Sequence, residues 1–340
     1  MNTFRSSLPV VALLLAHAVI PPAYSAELKL PRDGWVSWQV AAVDDAPAWC
    51  CWSHLHDRVA PRPACGLDGG SNGYGIRDDA KTDSVKVYVR VAGGKIDRLQ
   101  ALSATCPVEA KTPIQELDGV AADDSARWLI ARTRQAGADG VSHRPLAESS
   151  LAALAMHRGD LARDALSEFA RGDAHVETRK WAVFWLAKLR GAEGAAVTSS
   201  VMFNDKDAEL RKHAAFAMAQ SKSPRVTPDL IRLGNTDKVG DVRAKAWFWL
   251  AHTGAVGSEQ AIAQALRKDA EDDVREQVIL ALSLLPEERA TRALIATAED
   301  RSLSIEQRKR AVFWLSQSES GSALAYMDKV LARTQLSPSL

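Results

Sequence analysis

The reactive side chains of this 340-residue chain are concentrated in CCWSHLHDRVAPRPAC, which places Cys50, Cys51, His54, His56 and Cys65 within sixteen residues. Thiolates and imidazoles are ligands for zinc or copper, and clustered thiols also carry redox chemistry. The spacing follows no zinc motif, and the chain has neither CxxC nor CxxCH. With Cys106 as the fourth and last cysteine, two disulfides are the simpler reading. A bridge between the neighbours Cys50 and Cys51 would be strained, so each is expected to pair with Cys65 or Cys106, in either combination. A metal-binding or thiol-redox module centred on Cys50, Cys51, His54, His56 and Cys65 is the alternative.

Other catalytic patterns are missing. The sequence holds no GxSxG, HExxH or P-loop. GGSNGYG at 69–75 lacks the strand-to-helix context of a phosphate cradle and reads as a flexible loop. Asp44-Asp45, Asp78-Asp79, Asp123-Asp124 and Asp272-Asp273 fall in loops or beside helix starts, where capping or solvation explains them. No catalytic residue, resident metal or cofactor is expected. Lys+Arg 43 against Asp+Glu 42 gives no electrostatic reason to invoke nucleic acid or an anionic membrane.

The elements around the cysteines read as a β-rich domain over 27–120. GWVSWQVAAV (34–43) has strand-like Trp and Val density, and SVKVYVRVAGGKIDRLQALSA (84–104) alternates and turns at Gly93-Gly94, a hairpin signal. Residues 44–83, rich in Pro, Gly, Asp and Cys, read as irregular loops pinned by disulfides. Residues 1–26 read as an export signal, with Arg5, an apolar run from Leu8 to Ile20 and a small-x-small site at Ala23-Tyr24-Ser25. No second long apolar run follows, so no membrane span is expected, and a periplasmic or secreted location is.

Helices are expected from Asp123-Asp124-Ser125, which can cap a linker helix within 121–144. Beyond it five segments repeat: RKWAVFWLA (179–187), RKHAAFAMA (211–219), RAKAWFWLA (243–251), REQVILALS (275–283) and RKRAVFWLS (308–316). Their arginines recur every 32 or 33 residues, the period of stacked helical pairs. LAESSLAALAM after Pro145 is a degenerate first copy, with Ala147 in the arginine's place. Second helices near 160–170, 192–203, 225–233, 257–267, 287–298 and 322–334 make six pairs over 145–336. The fold class is therefore α+β with two domains, mainly an α-solenoid behind a small disulfide-stapled β-rich module.

Counting from each arginine, offsets 3, 4 and 7 share one helix face and are apolar in every copy, as core positions must be. Offset 5 points away from that face yet holds Phe184, Phe216, Phe248, Leu280 and Phe313. Lys180, Trp181 and Lys188, Lys212, His213 and Gln220, Lys245 and His252, and Lys309, Arg310 and Gln317 flank it. On a concave surface this is an aromatic spine with a positive rim, suited to a protein or peptide partner and favouring an acidic segment. Superhelical twist or the N-terminal domain could instead bury the stripe. Offset 6 alternates Trp185, Ala217, Trp249, Ala281 and Trp314, which suggests interdigitation between neighbouring copies.

The pattern Asp-x5-Arg-x2-Ala-x3-Leu resembles bacterial HEAT repeats, including those of phycobilin lyases, over about 145–336. The resemblance implies that Asp173, Asp205, Asp237 and Asp269 form an inter-repeat hydrogen-bond ladder with Arg179, Arg211, Arg243, Arg275 and Arg308. Deoxyhypusine hydroxylase, a HEAT-repeat enzyme, holds its iron with His-Glu dipeptides. None of the eight histidines here (His17, His54, His56, His143, His157, His175, His213 and His252) precedes Glu, so that activity is rejected. A lyase-like enzyme is a further alternative, which an export signal suits badly. The leading expectation is a non-catalytic binding scaffold of the cell envelope that works through its concave face.

Overall fold

The computed structural model describes residues 28–335 except 56–57, 62–63, 70–72, 139–143 and 173. The expected export signal and Asp173 lie outside the described residues, as do His56 and the His54 side chain. Nine strands come first: β1 (Gly34–Ala41), β2 (Pro47–Leu55), β3 (Arg58–Pro61), β4 (Cys65–Gly66), β5 (Gly73–Lys81), β6 (Ser84–Ala92), β7 (Lys95–Ser103), β8 (Val108–Glu109) and β9 (Ile114–Glu116). They form a four-stranded sheet in the order β7-β6-β1-β9, a three-stranded sheet β3-β2-β5 and a short pair β4-β8. Gly93 and Gly94, at φ 58° and 76°, turn β6 into β7 with Ala92 opposite Lys95. Both positive angles suit glycine and a two-residue hairpin.

Residues 44–83 are more regular than their composition suggests, because β2, β3 and β5 pair as a sheet. Pro, Gly and Asp dilute the apolar alternation there. Cross-strand hydrogen bonds and the disulfide partners of Cys50 and Cys51 hold these strands, rather than a continuous apolar face.

The larger sheet is buried on both faces. Val36, Trp38 and Val40 of β1 join Val85, Val87, Val89, Leu99 and Ala101 against the helices. Alternate positions Trp35, Tyr88 and Leu102 pack on Cys51, Cys65, Leu67 and Cys106, as the two-residue strand period requires. Sheet and helical array therefore share one continuous apolar core.

The helices are α1 (Ala122–Ala138), α2 (Arg144–Met156), α3 (Asp160–Arg171), α4 (Val176–Leu189), α5 (Gly191–Asn204), α6 (Ala208–Ala219), α7 (Val226–Thr236), α8 (Gly240–His252), α9 (Ser258–Lys268), α10 (Asp272–Ser283), α11 (Glu287–Glu299), α12 (Ile305–Leu315) and α13 (Gly321–Gln335). All twelve helices expected of the repeats are present, and α1 precedes them. None of the described helices is long and apolar enough to cross a membrane. For the later repeats, each arginine helix packs more closely on the helix before it than on the one after, so α5–α6, α7–α8, α9–α10 and α11–α12 are the tight hairpins. The arginine helices also pack on one another far more than the alternate helices do. Such crowding is what the inner row of a curved array would show, the row expected to line its concave side.

The capping expected of Asp123-Asp124-Ser125 takes another form. Helix α1 starts one residue earlier, so the aspartates occupy its first turn, where they complement the helix dipole. Ser125 turns inward instead. Its Oγ accepts from Trp38 Nε1 at 2.7 Å and donates to His157 Nε2 at 2.7 Å, while His157 Nδ1 donates to Ala153 O at 2.7 Å. Arg190 adds a hydrogen bond to His157 O at 2.7 Å. This chain of donors joins β1, α1, α2 and the start of α5, and burial pushes the imidazole down to about 4.

Close packing is pronounced where α7 crosses α8. A Cβ on Gly234 would lie 2.4 Å from the ring of Trp247, which is fully buried. Gly234→Ala should therefore cost about 1–3 kcal/mol, the usual range for overpacking. A lower denaturation midpoint with unchanged helical circular dichroism would show it.

Candidate functional site

The arginine–aspartate ladder fixes how the concave helices sit side by side. Arg211 Nε and Nη2 donate to Asp237 Oδ2 and Oδ1 of the next repeat at 2.7 and 3.0 Å. Arg243 binds Asp269 in the same way at 2.7 and 2.8 Å, and Arg179 reaches Asp205. Each aspartate also accepts from the backbone N–H two residues on: Asp207 N–H to Asp205 at 2.9 Å, Val239 N–H to Asp237 at 2.9 Å and Glu271 N–H to Asp269 at 3.0 Å. The third guanidinium nitrogen returns to the repeat's own turn, from Arg211 to Asp205 O at 2.9 Å and from Arg243 to Asp237 O at 3.0 Å. Thus one aspartate braces the turn ahead of its repeat's arginine helix and receives the preceding arginine.

Charge follows geometry. The Arg243 hydrogen bond, against the desolvation of burial, holds Asp269 below the usual carboxylate range. For Asp237 burial is the largest influence and raises it, yet hydrogen bonds from Arg211 and Val239 and the nearby guanidinium charges bring it below that range. The ladder stops at Asp269. Arg275 turns to Asp272 and the Asp269 carbonyl, and Asp300 pairs with Arg267 at 2.9 Å. Arg275 Nε and Arg308 Nε are buried and have no hydrogen-bond partner among the described residues.

Held at this spacing, the offset 5 and offset 6 rings form a ribbon. Phe184 stacks on Phe216 with centroids 5.7 Å apart, Phe216 meets Trp249 at 4.8 Å, and Trp249 meets Phe248 at 4.9 Å. Phe248 then stacks on His252 at 5.2 Å. Phe184, Phe216 and Phe248 are half-buried, so the stripe is neither core nor open surface: each ring packs on its neighbours and still meets solvent. Phe313 is 49% exposed and stands apart beside Trp314, because Leu280 and Ala281 interrupt the aromatics.

The N-terminal end of the ribbon is completed by the β module. Ala152 occupies offset 5 of the first copy and is too small to meet Trp185, and Trp49 of β2 fills that place with its ring 5.0 Å from Trp185. Trp49 and Ala152 also line a cleft of about 440 Å³ between β7 and α2, walled by Arg98, Gln100, Leu146 and Ser149. Arg98 makes no hydrogen bond or close ion pair among the described residues. Sequence reasoning missed Trp49, and its one visible signal was a large aromatic directly before the paired cysteines.

The expected rim is less cationic than its composition. Lys180 pairs with Glu177 at 3.0 Å, Lys212 with Glu209 and Asp241, and Arg310 with Glu276 at 3.1 Å. His213 is not a rim cation: burial lowers its pKa, and its Nε2 bonds to Lys180 O at 3.0 Å. Lys245 is exposed and lies 5.3 Å above the Phe248 ring, and His252 is exposed against the same ring.

The cysteines pair as Cys50–Cys106 and Cys51–Cys65. All four sulfurs are thereby in bonds, so this form offers a metal no thiolate.

A family model described as HEAT repeats matches residues 163–251, about a quarter of the chain. No curated protein matches the sequence at a significant level. Among solved structures the chain is similar to the Escherichia coli protein YibA, with 19% identity over 63% of this chain and 81% of that one and a TM-score of 0.39. It is also similar to human deoxyhypusine hydroxylase in complex with glycerol, with 15% identity over 59% of this chain and 77% of that one and a TM-score of 0.32. For Cex1p the identity is 14%, over 64% of this chain and 46% of that one, with a TM-score of 0.40. Similarity at this level says nothing of activity. Residues 163–251 match HEAT repeats, and the helices on either side continue the same stacked array.

Proposed function

We propose that the chain is a non-catalytic scaffold that binds an extended segment of a partner protein along the concave aromatic ribbon. The observation that carries this is the Trp49–Trp185 contact, because a residue from outside the array already docks on the ribbon as a partner side chain would. The rings beyond it, from Phe184 to His252, offer the same half-open faces. The cleft at Trp49 is a seat for an anchoring end, and Arg98 within it, with Lys245 further along, favours a partner carrying an acidic group. Aromatic rings in a partly desolvated groove are the kind of residue that dominates protein interfaces. The leader-like residues 1–26 and the two disulfides support an exported location, periplasmic or secreted.

Peptides selected by phage display on the immobilised chain should carry aromatic or aliphatic anchors. Phe216→Ala with Phe248→Ala should weaken them about 100-fold, the effect of two anchors worth about 1.4 kcal/mol each, with helical circular dichroism retained. Enrichment of no such anchor, or unaltered binding to the variant, would refute the groove. If the variant unfolds, the rings serve as core and the groove reading also fails.

A further inference from the structure

The two disulfides touch. Cys65 Sγ and Cys106 Sγ, which belong to different bridges, lie 3.4 Å apart, and the sulfurs of Cys50, Cys65 and Cys106 all fall within 4.8 Å of one another. Cys51, Cys65 and Cys106 are buried beneath Trp35, Leu67, Tyr88 and Leu102, while Cys50 is half-buried. One sulfur of the four is therefore the natural point of entry, and the one it releases already rests against the other bridge.

We propose that the pair is a single redox unit, a disulfide relay in which thiol attack at Cys50 ends with a new Cys65–Cys106 bridge and free thiols on Cys50 and Cys51. The reductant is a small thiol or dithiol of the glutathione class. Its thiolate attacks Cys50 Sγ, forms a mixed disulfide there, breaks Cys50–Cys106 and expels the Cys106 thiolate. That thiolate attacks Cys65 Sγ, forms Cys65–Cys106, breaks Cys51–Cys65 and expels the Cys51 thiolate. A second thiolate of the reductant attacks the reductant's own sulfur in the mixed disulfide, leaves as the oxidised disulfide and frees Cys50. Two electrons enter, and the protons of the two reductant thiols pass to Cys50 and Cys51. One protein disulfide is gained for two lost.

Three features favour this order over independent reduction. Exchange proceeds by thiolate attack on a disulfide sulfur, and the Cys106 thiolate is born in contact with its target. The new bridge lies in the apolar interior, where β4 runs beside β8 and Cys65 N–H donates to Pro107 O at 2.8 Å. A bridge between Cys50 and Cys51 would be strained and is disfavoured, since Cα atoms of adjacent residues are about 3.8 Å apart and a disulfide usually has at least about 4.4 Å. The product thus carries two vicinal thiols on β2, directly after Trp49, able to pass their electrons to another disulfide by the same exchanges in reverse, which restore Cys50–Cys106 and Cys51–Cys65.

The test is disulfide mapping of the full chain across a glutathione redox series, quenched with N-ethylmaleimide and read by mass spectrometry of non-reduced peptides. The expected two-electron form has Cys50 and Cys51 labelled and a Cys65–Cys106 crosslink. Labelled Cys50 and Cys106 with Cys51–Cys65 intact would overturn the relay. So would labelled Cys51 and Cys65 with Cys50–Cys106 intact, or loss of both bridges with no two-electron form.

Discussion

Asp237→Ala should destabilise the array by about 3–5 kcal/mol, the cost of removing one partner from a buried pair. Both side chains are almost fully enclosed, Arg211 at 3% and Asp237 at 5% exposure. The substitution strips the guanidinium of two hydrogen bonds and leaves its charge in a site water does not reach. It also removes the acceptor for Val239 N–H at the start of α8. An exposed pair of the same length would be worth at most about 1 kcal/mol, so magnitude alone separates a buried rung from a surface one. Urea denaturation followed by circular dichroism checks it. Replacing both partners by apolar residues of similar size, Arg211→Met with Asp237→Leu, should recover much of the loss, because neither charge is then stranded. A loss under about 1 kcal/mol for Asp237→Ala would show the rung to be water-screened.

The second large effect is a dependence of stability on pH set by His157. In the unfolded chain its pKa is about 6.5, and in the folded chain burial takes it down to about 4. Between these values the unfolded state binds a proton that the folded state refuses, so stability is complete above pH 6.5 and drains away as pH falls toward 4. A separation of about two and a half units at about 1.4 kcal/mol per unit amounts to about 3 kcal/mol. Desolvation is the main cause, and the nearby positive charge of Arg190 acts in the same direction against the hydrogen bond to Ala153 O. His213, also lowered by burial, adds a contribution of the same sign. Asp237 and Asp269 have depressed values, so their contribution is present above the ordinary carboxylate range and is lost only at more acid pH. Denaturation midpoints of the wild type and His157→Gln from pH 7.5 to 4 provide the check. The variant should be weaker at neutral pH and lose most of the slope above pH 4; an unchanged slope would place the titration elsewhere.

The array was legible because its physics is repetitive. Offsets 3, 4 and 7 are apolar whatever the partner, and Arg211 and Arg243 recur with Asp237 and Asp269 at fixed distance. The stretch from β2 to β5 was not, since Pro, Gly and Asp mask strands that hold through pairing and bridges rather than through their own alternation. Ser125 looked like a cap because Ser, Asp and Asn all favour helix starts; only the position of Trp38 and His157 turns it inward. At the site, the phenylalanines were visible as a departure from a generic repeat. That Trp49 would join them depends on a contact across 136 positions of chain, and no local pattern encodes it. The rim misled because a lysine shows its charge in sequence but not the glutamate or aspartate one turn or one repeat away.

The uneven ends of the ladder give the molecule a mechanical direction. One end is welded to a sheet that is buried on both faces, while among the described residues Arg275 and Arg308 carry no rung onward and Leu324 and Leu331 face solvent at the other. Such a body behaves as a cantilever. Compliance accumulates from clamp to tip, so the last two repeats swing furthest for a given thermal impulse, and the ribbon between Phe184 and His252 sits on the stiff part of the beam.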